Sequence, residues 1–224
     1  MTTGEDKKAT RYFPIGDSAV VVEFGNTITP QVHALVQKMA FAVGLSMING
    51  LVEVVPAYRS LTVYYDALLT DYETLVAQLR LAEERSETIP LPPSRRIKIP
   101  VSYGGQHGPD IESVAKYNNL SVEELIQLHS SQQYLVYMLG FTPGFPYMGS
   151  LQRKILAPRK ESPSAKVPAG SLGLAGEQTG IYPFESPGGW QIIGWTSMKM
   201  FDLGLDPPAT LAPGDIVEFE VAGH

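Results

Sequence analysis

The densest group of side chains that could do chemistry lies between Ala157 and Trp190, in the stretch APRKESPSAKVPAGSLGLAGEQTGIYPFESPGGW. Arg159 and Lys160 can pair with a carboxylate or a phosphate, and arginine can do so through two parallel hydrogen bonds. Glycines in the stretch allow a ligand to approach backbone amides, although the same residues also suit the corners of a β-barrel. The composition favours a site for a small anionic or amide-bearing molecule. Its neutral donors and acceptors are Ser171, Gln178, Thr179, Tyr182 and Ser186.

The segment LGFTPGFPYMGSL, residues 139–151, combines aromatic side chains with three glycines and two prolines. The prolines exclude a long helix or an uninterrupted strand. Two hypotheses remain open on spacing alone. The segment is a packed loop beneath a barrel, or it is a rigid and partly exposed rim that recognises a ligand.

The four histidines are widely spaced, so the sequence predicts no metal site. His129 lies near the end of a predicted helix, where a protonated imidazole would interact favourably with the helix C-terminus. The alternative is a helix-end histidine with no further role.

Several functional classes are excluded by motifs and composition. The chain has no Walker A loop, dinucleotide fingerprint, G-x-S-x-G elbow or H-E-x-x-H motif. A formal net charge of −6 and scattered basic residues argue against nucleic acid as a partner. There is no cysteine and no apolar run long enough for a membrane span, and we expect no secretory signal from the polar first residues. We expect a cytoplasmic protein without a membrane or nucleic-acid partner.

The first part of the chain alternates between strand and helix patterns in the order β-α-β-β-α. Thr29 and Pro30 mark the start of the first helix, and Thr70 with Glu73 is in register to cap the second. RRIKIPVSY, residues 95–103, could supply a final strand. We predict an α+β subdomain of split β-α-β type over residues 1–90, followed by a proline-rich linker.

The second part, residues 91–224, is predicted to be mainly β. Two short helices come first, with Asp110 capping one, a Ser121–Glu124 capping box opening the other, and a left-handed turn between them. Acidic residues at the start of the second helix oppose a DNA-binding role, so we interpret the pair as a cap on a barrel. From Tyr134 onward, short strands separated by glycine and proline favour a closed barrel. The predicted strands include KILAP and MKMFDL.

Long motifs in the second part resemble the KipI family, whose members are also known as the B component of 5-oxoprolinase or as allophanate hydrolase subunit 1. The matching stretches are VYMLGFTPGFPYMGSL, APRK, VPAGSLGLAGEQTGIYPFESPGGWQIIGWT and LAPGDIVEF, together with FPIGDSAVVVEFG and VPAYRSLTVYYD nearer the start. The resemblance implies an α+β subdomain followed by a cyclophilin-like β-barrel.

The resemblance also implies a complex with two partners, a KipA-type protein and a LamB/YcsF-type protein, which together with this chain convert 5-oxo-L-proline to L-glutamate with ATP. This chain would bind no cofactor itself, since it lacks a phosphate loop. We expect Arg159 to engage an anionic group and His129 to transfer or polarise a proton, while Ser171, Gln178 and Tyr182 orient the substrate. Thr179 and Ser186 also match the family motif and are expected to contact the substrate. The predicted pocket rim is formed by Phe141, Phe145, Tyr147 and Trp190.

Two positions depart from the family pattern. Ser164 and Trp195 stand where the family usually carries basic residues, so Lys166 or a partner would have to balance a ligand's charge. Two other functions stay open: a non-catalytic inhibitor of a sporulation sensor histidine kinase, and half of a biotin-dependent carboxyltransferase. The SMKM stretch, residues 197–200, resembles a biotin site but lies in predicted strands, so we do not interpret it as one.

Overall fold

The computed structural model describes residues 10–222, which form two compact units that divide between Pro93 and Ser94. The fold is mainly β, with a closed seven-stranded barrel and four α-helices in the described chain. None of the described helices has both the length and the apolar character that a membrane span requires.

The first unit contains one antiparallel sheet and two helices. The strands are β1 (Arg11–Ile15), β2 (Ala19–Glu23), β3 (Leu51–Pro56) and β4 (Ser60–Tyr65), in the order β1-β2-β4-β3. Because β4 lies between β2 and β3, the unit β2-α1-β3 is a split β-α-β. Strand β1 pairs with β2 at the sheet edge. Residues 95–103, which could have supplied a final strand, instead contribute Arg96–Tyr103 to the barrel of the second unit, so that expectation is wrong.

Helices α1 (Pro30–Gly44) and α2 (Tyr72–Ser86) bury their apolar faces on this sheet. The predicted start of α1 is confirmed, since the Thr29 side chain accepts a hydrogen bond from the Val32 amide at 3.2 Å. The cap of α2 is Asp71 and not Thr70, because the Asp71 carboxylate accepts from the Thr74 amide at 2.7 Å. In α1, His33 is buried, whereas the apolar Leu35 is exposed.

The second unit is built around the barrel. Its barrel strands are β5 (Arg96–Tyr103), β6 (Gln133–Leu139), β7 (Pro146–Gly149), β9 (Ser171–Ala175), β10 (Gln178–Ile181), β12 (Gln191–Trp195) and β13 (Ile216–Val221). They close in the order β10-β7-β6-β13-β5-β12-β9, which confirms the predicted closed barrel. Strands β8 (Ser164–Val167) and β11 (Ser186–Gly188) form a separate two-stranded ribbon. KILAP instead contains a 3-10 turn, and MKMFDL contributes only an isolated bridge at Phe201.

Helices α3 (Ile111–Tyr117) and α4 (Val122–Ser130) pack against β12 and β13, and their apolar residues join the barrel core, as predicted for a cap. The Ser121–Glu124 capping box is confirmed, and Asn119 has φ +56°, the expected left-handed turn. Asp110 stands at the start of α3 but does not cap it. Its carboxylate accepts from the Ile192 amide at 2.7 Å and pairs with Lys160 at 2.6 Å.

Candidate functional site

A cavity of about 240 Å³, which we call the aromatic pocket, collects six of the predicted site and rim residues at the surface of the barrel unit. The GFTPGFPY segment contributes one wall, and the residues around the β8–β11 ribbon contribute the others. The lining consists of Phe141, Phe145, Tyr147, Arg159, Pro163, Tyr182, Pro187, Gly188, Gly189 and Trp190.

The loop that forms the outer wall is held by its own backbone. The Phe145 amide donates to the Thr142 carbonyl at 3.0 Å, and the Gly140 amide donates to the Phe145 carbonyl at 3.1 Å. Phe141 has φ +66°, an unusual conformation for a side chain of this size, and the residue is 61% exposed. Gly144 has φ +80°, and a side chain there would lie 2.9 Å from the Cβ atom of Phe201. The loop therefore presents the Phe141 ring to solvent at the mouth of the pocket.

The inner surface of the pocket is a cluster of edge-to-face aromatic rings. The Phe145 ring centroid lies 5.2 Å from that of Tyr182 and 5.3 Å from that of Trp190, both nearly perpendicular. Phe145 and Trp190 are 1% and 5% exposed, so they form the floor of the pocket and not the predicted rim. Such packing fixes the rings before any ligand arrives.

Arg159 supplies the charge of the aromatic pocket. It is exposed, and no carboxylate among the described residues forms an ion pair with it. Burial raises the pKa values of Tyr147 and Tyr182, and the nearby Arg159 charge only partly opposes this rise. Both phenols therefore stay protonated at neutral pH and can donate hydrogen bonds.

A second cavity, of about 500 Å³, lies beside the same ribbon, and we call it the lysine pocket. Lys160 lines this cavity, whereas its neighbour Arg159 lines the aromatic pocket. The full lining is Gln106, His107, Pro109, Lys160, Ser164, Lys166, Val167, Pro168, Ser171, Ile192 and Trp195.

Both positions that depart from the family pattern belong to the lysine pocket. Ser164 accepts a hydrogen bond from the Lys160 ammonium at 3.2 Å, and Trp195 stacks on His107 with 5.1 Å between ring centroids. Lys166 also lines this cavity, and its ammonium lies 3.3 Å from a carboxylate oxygen of Glu185. Lys160 and Lys166 therefore line the same cavity as Ser164 and Trp195.

His129 is not at the surface. Its side chain is fully buried in the barrel unit, where its ring stacks on Tyr134 and Phe219. Burial lowers its pKa to about 3, and both ring nitrogens have buried partners, so the structure opposes the alternative of a protonated helix-end imidazole. His129 lines neither pocket, and a buried neutral ring in the core does not fit a group that contacts a substrate.

The hydrogen bonds of His129 define its tautomer. The Thr179 hydroxyl donates its only proton to the Gly173 carbonyl at 3.2 Å, so it must accept from Nε2–H of His129 at 3.1 Å. Nδ1 of His129 then accepts from the Tyr103 hydroxyl at 2.8 Å. This chain of hydrogen bonds connects α4 with strands β5, β9 and β10, and both ring nitrogens have a partner.

The remaining predicted substrate contacts are dispersed. Thr179 is buried and bonded to His129, and Ser171 lines the lysine pocket. Gln178 and Ser186 line neither of the two pockets, and the buried Ser186 hydroxyl oxygen has no hydrogen-bond partner among the described residues. Of the predicted polar contacts, only Arg159 and Tyr182 meet in the aromatic pocket.

Sequence reasoning missed three residues that shape these pockets. Gly188 faces the Tyr182 hydroxyl, and a Cβ atom there would lie 2.3 Å from the phenol oxygen. His107 lines the lysine pocket, and Asp110 forms the ion pair that holds Lys160 from outside the lining. The paired glycines of SPGGW gave some signal for Gly188. His107 and Asp110 lie far from the APRK stretch in sequence, and the sequence indicated Asp110 only as a helix cap. Among residues 10–222, no group of three histidine or carboxylate side chains could hold a metal ion.

Comparison with known proteins gives similarities over most of the chain. A family model described as carboxyltransferase domain, subdomain C and D, matches residues 10–211. The B component of 5-oxoprolinase from Bacillus subtilis strain 168 is 44% identical over 218 residues, which cover 92% of this chain and 90% of that protein. Its counterpart of the same name in Escherichia coli O157:H7 is 42% identical over 215 residues, covering 93% of this chain and 94% of that one.

A solved structure, that of the protein TTHA0988, shares the fold with a TM-score of 0.81 at 34% identity. The similarity covers 93% of this chain but only 40% of the longer TTHA0988 chain. In that protein the region similar to this chain is therefore part of a longer polypeptide.

Proposed function

This chain belongs to the family of 5-oxoprolinase B components, and we propose that it serves in an ATP-dependent enzyme that converts 5-oxo-L-proline to L-glutamate. Its partners in this proposal are a KipA-type protein and a LamB/YcsF-type protein. The lactam is a poor electrophile, so transfer of the ATP γ-phosphoryl group to its oxygen, with release of ADP, activates the ring carbon. Water then adds to that carbon, the C–N bond breaks to give the free amine, and a second water releases phosphate to give the carboxylate of L-glutamate. The chain contributes substrate contacts and is inactive alone.

The observation that carries the proposal is the Arg159 guanidinium, which has no ion-pair partner among the described residues, beside a floor of fixed aromatic rings. 5-oxo-L-proline is a small ring that bears a carboxylate and an amide. The carboxylate can accept two parallel hydrogen bonds from Arg159, and the ring methylenes can pack on Phe145 and Trp190. The protonated Tyr182 hydroxyl can donate to the lactam oxygen.

Pre-organisation supports this role. The floor rings are buried and the Phe141 loop is tied by its own hydrogen bonds, so little side-chain freedom is lost when the ligand binds. The cavity of about 240 Å³ suits a small metabolite better than a large cofactor. The proposal assigns no contact in this pocket to Ser171, Gln178, Thr179 or Ser186.

The test is glutamate release from 5-oxo-L-proline and ATP by the three proteins together and with this chain omitted. We expect activity only in the complete mixture. Arg159→Ala should lower kcat/KM by about 100-fold, since a hydrogen bond to a charged group contributes about 1.5–3 kcal/mol. The kcat/KM of Arg159→Lys should lie between that of Arg159→Ala and that of the unmodified chain. Arg153→Ala removes another exposed arginine and is the matched control.

Activity without this chain, or equal activity of Arg159→Ala and the unmodified chain, would contradict the proposal. Half of a biotin-dependent carboxyltransferase is the second candidate, because the matching family model describes a carboxyltransferase domain. That candidate would be favoured by a complex that assembles and releases no glutamate but transfers a carboxyl group from carboxybiotin. Inhibition of a sporulation sensor histidine kinase by this chain stays a prediction.

A further inference from the structure

The charged side chains that line the lysine pocket are all cationic, although each is paired with an acid outside the lining. The chain carries a formal net charge of −6, yet this cavity is lined by two lysines and by no carboxylate of the described residues. The acids that pair with these lysines, Asp110 and Glu185, are outside the lining. An anion that enters the cavity therefore meets ammonium groups that are already paired, and it must use their remaining donors.

The aromatic wall of the lysine pocket is fixed in place. Trp195 donates its indole N–H to the Ala169 carbonyl at 2.8 Å and stacks on His107 at an interplanar angle of 22°. Gly170 permits this approach, since a Cβ atom there would lie 2.7 Å from the indole nitrogen. Because the two rings cover each other, another planar ring can stack only on an outer face of the pair.

Lys160 is also held before a ligand arrives. Its ammonium contacts the Asp110 carboxylate at 2.6 Å and the Ser164 hydroxyl at 3.2 Å, and the carboxylate is itself anchored by the Ile192 amide. An ammonium group has three donors, so one is left for a ligand oxygen. The Lys166 side chain is 79% exposed and only loosely paired, so its charge can turn toward a ligand at small cost.

We propose that the lysine pocket is a second ligand site, which takes a planar heteroaromatic ring carrying a phosphate, the chemistry of a purine mononucleotide. The ring stacks on the wall of Trp195 and His107, and the phosphate lies between Lys160 and Lys166. Lysine binds phosphate as a point charge without the planar fork that a carboxylate prefers. The volume of about 500 Å³ lies within the usual range for such ligands. This site does not depend on what the aromatic pocket binds.

The two tryptophans of the chain make the proposal directly testable, because Trp190 lines the aromatic pocket and Trp195 lines the lysine pocket. In the ¹⁵N-labelled full chain each indole N–H gives its own NMR signal, and Trp190→Phe identifies that of Trp195. We expect AMP to shift the Trp195 signal saturably and to leave the Trp190 signal in place. Adenosine and ribose 5-phosphate, which each lack one half of the ligand, should bind at least about 10-fold more weakly.

Two variants separate binding from folding. Lys160→Met should weaken AMP binding by about 10-fold, but it also removes the partner of Asp110. Lys166→Gln changes an exposed side chain and should weaken AMP binding by about 3-fold with no change in thermal stability. Lys154→Gln, at an exposed lysine outside both pockets, is the matched control. No Trp195 shift at about 10 mM AMP, or shifts that both pocket variants leave unchanged, would overturn the proposal.

Discussion

The barrel unit contains two polar regions that differ in whether their polar groups already have partners. In the core, His129 uses both ring nitrogens, and each partner is itself buried or hydrogen-bonded. In the aromatic pocket, Arg159 has a full charge and no ion-pair partner among the described residues. Satisfied polar groups in a core specify structure, whereas an unsatisfied charge at a surface cavity is available to a ligand. Changes in the first region should alter stability, and changes in the second should alter binding.

Replacing His129 should have the largest effect on stability. His129→Ala leaves a cavity and removes the partners of Tyr103 and Thr179, which predicts a loss of about 3–5 kcal/mol in the free energy of unfolding. Urea unfolding followed by tryptophan fluorescence reports on the barrel unit, since both tryptophans lie there. His107→Ala, at a half-buried histidine, should cost less than about 1 kcal/mol. A small loss for His129→Ala would remove the distinction between the two regions.

Acid should destabilise the barrel unit through the same residue. The pKa of His129 is about 3 in the folded chain and about 6.5 in the unfolded chain. Between these two pH values the unfolded state binds a proton at this residue and the folded state does not. The stabilisation is complete above pH 6.5 and declines as the pH falls toward 3. Between about pH 7.5 and pH 5 we expect a loss of about 2 kcal/mol, measured by the same urea unfolding.

His33 in the first unit also has a lowered pKa, of about 4, because of burial. His33→Gln is therefore the control that removes this second acid-sensitive group. If the acid dependence of tryptophan-detected unfolding disappeared in that variant, His129 would not be its source.

The substitution Gly188→Ala changes the shape of the aromatic pocket without changing its charge. Gly188→Ala would place a Cβ atom 2.3 Å from the Tyr182 hydroxyl and displace it, so we expect about 10-fold weaker binding of 5-oxo-L-proline. Gly189→Ala is a close control, because its Cβ atom would meet nothing nearer than Pro163 at 3.8 Å. Calorimetric titration of both variants measures the difference. Equal affinities would show that Tyr182 does not position the ligand.

The smallest effect is expected at the exposed mouth of the pocket. Phe141→Asn removes an aromatic residue that is 61% exposed and supplies one that tolerates φ +66° better. We predict unchanged or slightly higher thermal stability and about 3-fold weaker binding, from the loss of a small apolar contact. A large drop in melting temperature would instead make Phe141 part of the core.

Local sequence rules predicted local structure well. The caps at Thr29 and Ser121 and the left-handed turn between α3 and α4 depend on chemistry that acts within four residues, and the structure confirms all three. Asp110 was assigned by the same rule and was wrong, because Lys160 and the Ile192 amide compete for its carboxylate from distant positions. Strand β1 was missed because Pro14 weakens the strand pattern, although proline is tolerated at a sheet edge.

The candidate site could be predicted in part. The motifs identified the stretch that carries Arg159 and Tyr182, but not which side chains meet. Arg159 and Lys160 are adjacent in sequence and yet line different pockets, which the motif alone does not reveal. The burial of His129 depends on the closure of the barrel around it, which no local pattern records.

We claim that the aromatic pocket binds the substrate through Arg159. The most direct test is a titration of the Trp195→Phe chain with 5-oxo-L-proline, followed by the fluorescence of Trp190. Trp190 lies in the floor of the aromatic pocket beside Phe145, so it reports on this cavity. We predict a saturable change that Arg159→Met abolishes while the chain stays folded. No change on titration, or the same change in the Arg159→Met chain, would contradict a substrate site built on Arg159.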